Sequence, residues 1–395
     1  MAGSKGTNPS DTLGGVFARA GRRLDAFWQR VTEGLELQAL WSQFVSEARA
    51  SYSLYSREVD WETLKDEKRP HRFFRIARAL FWAMLMKLSP ARRVFLLIAL
   101  VLGLFALMQG NAMKTGHGVE VTGPTNVVWV LLSLSGLVFL LALELADRVT
   151  MKRDLEIARE IQHWLVPEKP PQVPGVDIAF TSRPANTVGG DYYDAFLLER
   201  GDAGSRLLVV VADVAGKSVP AALLMATFQA SLRTLAAQAT SLTELARGMN
   251  RYSCAHSLGG RRFTTAFYAE IDPATRALTY IRAGHNAPVI RRASGQFDRL
   301  EAGDLPLGIE PETPYALGAA QLDPGDLLVI FTDGLVEAVN GKDDEYGEAR
   351  MLELLRTIPG ASAEKTLRDM MAGVDRFVGT TRQHDDITCL LVRAA

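Results

Sequence analysis

Four short stretches of the chain each set carboxylates beside an apolar run. In VVVADVAGKSVPAAL (209–223) a β-branched run stops at Asp213, and a turn with Gly216 and Pro220 opens an Ala/Leu-rich segment of helical pattern. VGGDYYDAF (188–196) carries Asp191 and Asp194 behind Gly189 and Gly190, LLVIFTDGLVEAVN (327–340) puts Asp333 before Gly334, and HDDITCLLV (384–392) sets Asp385 and Asp386 ahead of an apolar run. Hard divalent cations such as Mg2+ and Mn2+ are held by carboxylate, carbonyl and water oxygens. Each stretch alone has an ordinary structural reading. A Gly-Gly-Asp turn is commonly only a turn, and Asp385 with Asp386 is either a solvating device at a strand start or a ligand and its neighbour. Four acidic turns beside apolar strands point to one shared metal centre.

The elements that must position these carboxylates begin after a run of prolines at 167, 170, 171 and 174. Apolar strands are expected at 176–181, 206–211, 264–271, 277–283, 287–291, 327–331 and 387–392, and helices at 220–237, 242–257, 350–358 and 363–377. Turns such as Asp272-Pro273-Ala274-Thr275 and Ser294-Gly295 join consecutive strands and imply antiparallel hairpins. An α/β (α+β) layered domain on antiparallel sheets follows, over 167–395.

The upstream half reads differently. Residues 94–108 and 127–143 are apolar runs, extendable to spans of about 94–110 and 126–145. Arg92 and Arg93 precede the first, and Arg148, Lys152 and Arg153 follow the second, while the intervening loop holds only Lys114. That bias predicts a two-helix transmembrane hairpin (93–146) with both termini and the downstream domain in the cytoplasm, at the bacterial inner membrane. Residues 1–92 read as an N-terminal helical segment of no assignable role, its end basic and aromatic around Arg69, Phe73 and Trp82 and suited to an anionic membrane surface. Residues 1–25 lack the apolar core of a cleavable signal, so export is not expected. The second span should run on as a helical linker (147–166) carrying two apolar stripes. Met151, Leu155, Ala158 and Leu165 are read as a pairing seam with a second subunit, a possible coiled-coil homodimer, and Ile157, Ile161 and Trp164 as the face toward the domain; a helix buried on both sides fits the same two stripes.

Composition removes several classes. A chain of 395 residues with net charge −1 and interspersed charge has no concentrated basic surface for nucleic acid. Its two cysteines, Cys254 and Cys389, make neither a disulfide framework nor a C-x-x-C site. No G-x-x-x-x-G-K-[ST] loop occurs, which removes a P-loop nucleotide enzyme.

Over about 155–392 the chain resembles the PPM (PP2C-like) metal-dependent serine/threonine phosphatases, in the bacterial SpoIIE/RsbU-like group. The resemblance rests on LEIAREIQHWLVP, PANTVGGDYYD, ADVAGKSVPAALLMA, FTTAFYAEID, AGHNAP, FTDGLVEA and DDITCLLV in that order. It implies an αββα sandwich of two antiparallel sheets flanked by helices, with a cleft for two or three Mn2+ or Mg2+ ions at one end. By the same resemblance Asp213 bridges two ions and the Val214 carbonyl is a backbone ligand. Asp333 and Asp385 ligate the second ion, Asp191 acts directly, through water or at a third ion, and Asp194 is its companion. Asp213, Asp333 and Asp385 are thereby the catalytic set. Two ions sharing a water lower its pKa and neutralise phosphate charge. His285 and Asn286 belong to a recurring turn and are given a structural role. Two departures stand out: Ser218 occupies a position where relatives commonly have glycine, and no phosphate-gripping arginine is identifiable beyond a nearby Arg183. The implied function is a membrane-anchored protein-serine/threonine phosphatase acting on a phosphorylated anti-sigma-factor antagonist in partner switching. The alternative is a catalytically silent phosphatase-like signalling or binding module at the membrane.

Overall fold

The computed structural model describes residues 82, 85–86, 88–111, 124–200, 204–257, 262–358, 360 and 362–395, in two compact units divided between Ala146 and Asp147. The helical segment expected before residue 82 and the loop carrying Lys114 lie outside the described residues.

In the first unit, α1 (Pro90–Asn111) and α2 (Pro124–Leu165, whose second half belongs to the other unit) contain windows of mean hydropathy 2.2 and 2.3, long and apolar enough to cross a membrane. Their large side chains point outward, with Leu107 69% and Leu141 59% exposed, so these are not core helices within their unit. Small residues line the contact between them. Ala99 and Ala106 are buried, the Ser133 hydroxyl donates to the Ala99 carbonyl at 2.7 Å, and a Cβ on Gly103 would lie 2.9 Å from Ser133 Oγ. Close backbone approach through Gly, Ala and Ser is how helices pack where lipid removes the hydrophobic drive.

The second unit is the expected four-layer sandwich. One sheet has the order β1 (Val176–Arg183), β10 (Ile387–Ala394), β9 (Leu327–Phe331), β6 (Val289–Arg291), β7 (Phe297–Arg299). The other runs β2 (Tyr192–Glu199), β3 (Ser205–Val214), β4 (Thr264–Ile271), β5 (Ala277–Ala283), β8 (Gly318–Gln321), and neighbouring strands in both are antiparallel. Strand alternation divides β3 between two cores. Leu207, Val209 and Val211 meet Leu328, Ile330, Leu390 and Val392 between the sheets. Leu208, Val210 and Ala212 pack under α3 (Ser218–Ala236) and α4 (Leu242–Ala255), against Met225, Phe228, Leu245 and Met249. Burial on both faces explains why β3 reads as an unbroken apolar run. The outer face of the first sheet is covered by α6 (Gly347–Thr357) and α7 (Ala363–Val378), after a one-turn α5 (Asp333–Val336).

The expected strands and helices all form, most with shifted ends; the strand placed at 287–291 is shortened to three residues by Pro288. Strands β2, β7 and β8 were not read from the sequence as strands. The assignment of faces on α2 is reversed for all but Met151: Ile157, Ile161 and Trp164 are 46%, 49% and 74% exposed, whereas of the expected seam Leu155, Ala158 and Leu165 are half-buried and Met151 is exposed. The half-buried stripe includes Gln162, whose amide pairs with Gly189, and Val166 just beyond the helix packs on both sheet cores. Spacing alone gave two stripes and could not say which one a polar anchor would pull inward.

Candidate metal centre

Antiparallel order brings the acidic turns to one end of the sandwich. The pairs Arg183↔Ile387, Cys389↔Phe331, Tyr192↔Ala212 and Val214↔Thr264 place the ends of β1, β3 and β9 beside the starts of β2, β4 and β10. Asp191, Asp213, Asp333 and Asp385 all leave their strands at that end.

Mutual charge shows how close they come. Burial and then the charges of Asp333, Asp385 and Asp386 push the Asp213 carboxyl up to about 7. Burial and then Asp213 raise Asp191 well above the usual carboxylate range, and burial and then Asp385 raise Asp333. Two glycines permit the packing. A Cβ on Gly190 would lie 2.8 Å from the Val214 carbonyl oxygen and 3.7 Å from Asp213 Oδ1, and one on Gly334 would lie 2.0 Å from the Asp386 carbonyl oxygen. Any side chain at either position would fill the cleft or displace the backbone that carries its acids.

The supporting polar groups were only partly visible in the sequence. Asp386 is a brace: Oδ1 accepts from the Ala185 amide at 2.7 Å and Oδ2 from the Gly190 amide at 2.6 Å, tying the 184–190 turn to the start of β10. Thr332 donates to Asp191 Oδ2 at 2.9 Å and accepts from the Thr388 amide at 2.9 Å, and Thr388 donates to Ser182 at 2.8 Å. These threonines were missed; the available signal was a hydroxyl beside each acidic motif, in FTDG and in DDIT. Gln162, also missed, donates to the Gly189 carbonyl at 2.7 Å and accepts from its amide at 3.1 Å. A cavity of about 660 Å3 opens between this stretch of α2 and Asp191.

Asp194 does not join the cluster. It lies inside β2, fully buried, and both oxygens are taken: Arg233 donates to each at 2.8 Å, and Tyr192 donates to Oδ2 at 2.5 Å. Alternation puts it on the face toward α3, and no acid of the cleft contributes to its raised pKa, which burial causes. The companion-ligand expectation for Asp194 is therefore corrected to an anchor between β2 and α3. Arg183 pairs with Asp375 at 2.6 Å, and Arg262 donates to the Ala215 carbonyl at 3.0 Å. His285 is buried against Thr265 at 3.2 Å and pushed down to about 4 by burial and the nearby Arg282, so it is neutral, as a structural residue would be. Ser218 has φ +60°, the left-handed region, which is the physical reason glycine suits that position.

The donors fit a hard divalent ion in kind: carboxylates and the Val214 carbonyl, which only a glycine at 190 lets lie so close to the turn before Asp191. Among the described residues, no three acidic, histidine or cysteine side chains yet converge tightly enough to enclose an ion as they stand. Lys217 donates to Asp385 Oδ2 at 2.9 Å.

Two sheets between helical layers, with acidic turns gathered at one end, define a PPM (PP2C-like) fold. The structure aligns over 63% of this chain and 99% of the PP2C domain of SiaA from Pseudomonas aeruginosa, at 20% identity and TM-score 0.57. Residues 203–395 match the family model for stage II sporulation protein E. The chain is 28% identical over 246 residues to the phosphoserine phosphatase RsbU of Bacillus subtilis, covering 62% of this chain and 70% of RsbU. It is also 28% identical over 282 residues to protein IcfG of Synechocystis, covering 64% of this chain but only 43% of the IcfG length.

Proposed function

We propose that this chain is a divalent-metal-dependent protein-serine/threonine phosphatase of partner-switching signalling, held at a membrane by α1 and α2. The observation that carries the reading is the strand register that puts Asp191, Asp213, Asp333 and Asp385 at one end of the sandwich, where burial and neighbouring carboxylates raise Asp191, Asp213 and Asp333. Asp213, Asp333, Asp385 and the Val214 carbonyl would hold two ions, Mn2+ or Mg2+, with Asp191 directly, through water or at a third. Bound there, such ions supply Lewis acidity that activates water and neutralises phosphate charge. The chain's own residues set the geometry for that chemistry. Asp386 and Gln162 fix the turn before Asp191, Thr332 orients its carboxylate, and Gly190 and Gly334 let the backbones that carry the acids approach closely.

The substrate class proposed is phosphoserine or phosphothreonine on a small signalling protein of the anti-sigma-factor-antagonist type, by analogy with the relatives. Apolar, outward-facing spans with cationic flanks support a bacterial inner-membrane hairpin with the domain in the cytoplasm. The deciding assay uses the full chain in detergent with a phosphoserine peptide and a generic phosphate ester, with Mn2+ or with excess chelator. Turnover that requires the ion and survives alkylation of Cys254 and Cys389 is expected. Turnover that survives exhaustive chelation would overturn the mechanism, and no turnover with Mn2+ would favour the silent-module alternative.

A further inference from the structure

One cation stands within the acidic cleft itself. Lys217 is the residue before α3, at the turn that follows Asp213, and its side chain crosses to the opposite sheet. Its ammonium donates to Asp385 Oδ2 at 2.9 Å and to the His384 carbonyl at 2.8 Å, joining the turn after β3 to the segment before β10. Its charge also acts on Asp213, Asp333 and Glu337, so it faces four acids. The ammonium is not locked in. The side chain is 56% exposed, and Lys217, Asp385 and Glu337 border one cavity of about 300 Å3.

We propose that Lys217 is a built-in counter-cation of the ion site, competing with the divalent ion for Asp385 and so setting the ion concentration at which the site fills. The inference rests on the metal-dependent reading above and concerns the regulation of that site. An ammonium and a divalent ion cannot both sit against one carboxylate without repelling each other. While Lys217 holds Asp385, that acid is drawn toward the turn at the start of α3 and away from shared coordination. Glu337, on the wall of the same cavity, gives the released ammonium a second acid to turn to. Lysine suits such an exchange, because its charge sits on a flexible four-carbon stem and it makes point contacts rather than a planar bidentate grip. The cost of repulsion falls on ion binding and not on turnover once the site is full.

The test is Mn2+ titration by calorimetry on the full chain in detergent, without substrate, for wild type, Lys217→Met, Lys217→Arg and the remote control Lys365→Met. Removing a unit charge a few ångströms from the ion should lower the Kd for Mn2+ about fivefold or more. Lys217→Arg keeps the charge and can grip Asp385 with two donors, so its Kd should be no lower than wild type, and Lys365→Met on α7 should not change. The half-saturating Mn2+ concentration for turnover should fall in parallel for Lys217→Met. An unchanged or weaker Mn2+ affinity in Lys217→Met overturns the proposal while leaving the phosphatase reading intact. Failure of every protein, wild type included, to bind Mn2+ overturns the metal reading itself and this proposal with it.

Discussion

Asp213 carries the strain of the site. With its carboxyl pushed up to about 7 from an ordinary 3.8, the folded state binds its proton more tightly than the unfolded chain does. The ion-free fold is therefore penalised above about pH 7, and the penalty fades as pH falls toward 4. Asp213→Asn should be as stable as wild type or more so in chelator at pH 8, with the gap closing toward pH 5, while activity drops by about 100-fold or more. Thermal melts across pH check this; a marked fall in ion-free melting temperature at pH 8 would make Asp213 a structural residue. Asp194 should behave in the opposite way. Arg233→Met strands its carboxylate, and because Arg233 is itself 43% exposed the loss belongs near the low end for broken buried pairs, about 2–3 kcal/mol. Denaturant unfolding measures that loss, and Mn2+ affinity should be unaffected by it; weaker Mn2+ binding with unchanged stability would restore Asp194 to the ion site.

Elements decide where such residues can act, and the turn between β3 and α3 shows it. Ser218 holds a left-handed φ that costs a non-glycine residue about 1–2 kcal/mol, so Ser218→Gly should raise stability by about 1 kcal/mol in denaturant unfolding. No change would mean that local hydrogen bonding already offsets the strain. Much of this scale was legible in the sequence. β4, β5 and β9 have the expected bounds, because each apolar run is closed by a turn or a polar residue at both ends. The four acidic motifs were legible for the same reason: each interrupts a strand pattern with a charge that has no place in the core. What the sequence hid depends on partners distant along the chain. β2 mixes Asp and Tyr and reads as a motif rather than a strand until Arg233 is seen to neutralise Asp194. Thr332, Thr388 and Gln162 are ordinary residues until the fold puts Asp191 and Gly189 beside them.

For the whole molecule, two expectations concern its surroundings. The exposed Ile157, Ile161 and Trp164 recur on one helix face, a stripe suited to a second copy of the chain. Ile161→Glu with Trp164→Glu should reduce self-association in sedimentation of the detergent-solubilised chain, and Leu155→Glu should instead disturb the domain beside it; a monomeric wild type would remove the pairing. Reporter fusions at Gly116 and after Ala395 should report opposite sides of the membrane, and the same side for both would contradict the hairpin. The order of the sheets has a temporal meaning as well. β10 lies between β1 and β9, pairing Val176 with Ala394 and Arg183 with Ile387, and the acids that close the cleft and brace its turn directly precede it. A ribosome therefore makes nearly every other part of the domain before the strand that completes the first sheet. Such long-range pairing is slow to form and leaves strand edges unpaired in the meantime. A product cut short before Asp385 lacks that carboxylate and the whole of β10, the strand between β1 and β9, together. Loss of the strand and loss of the acid are then a single event, because the two are adjacent in the chain.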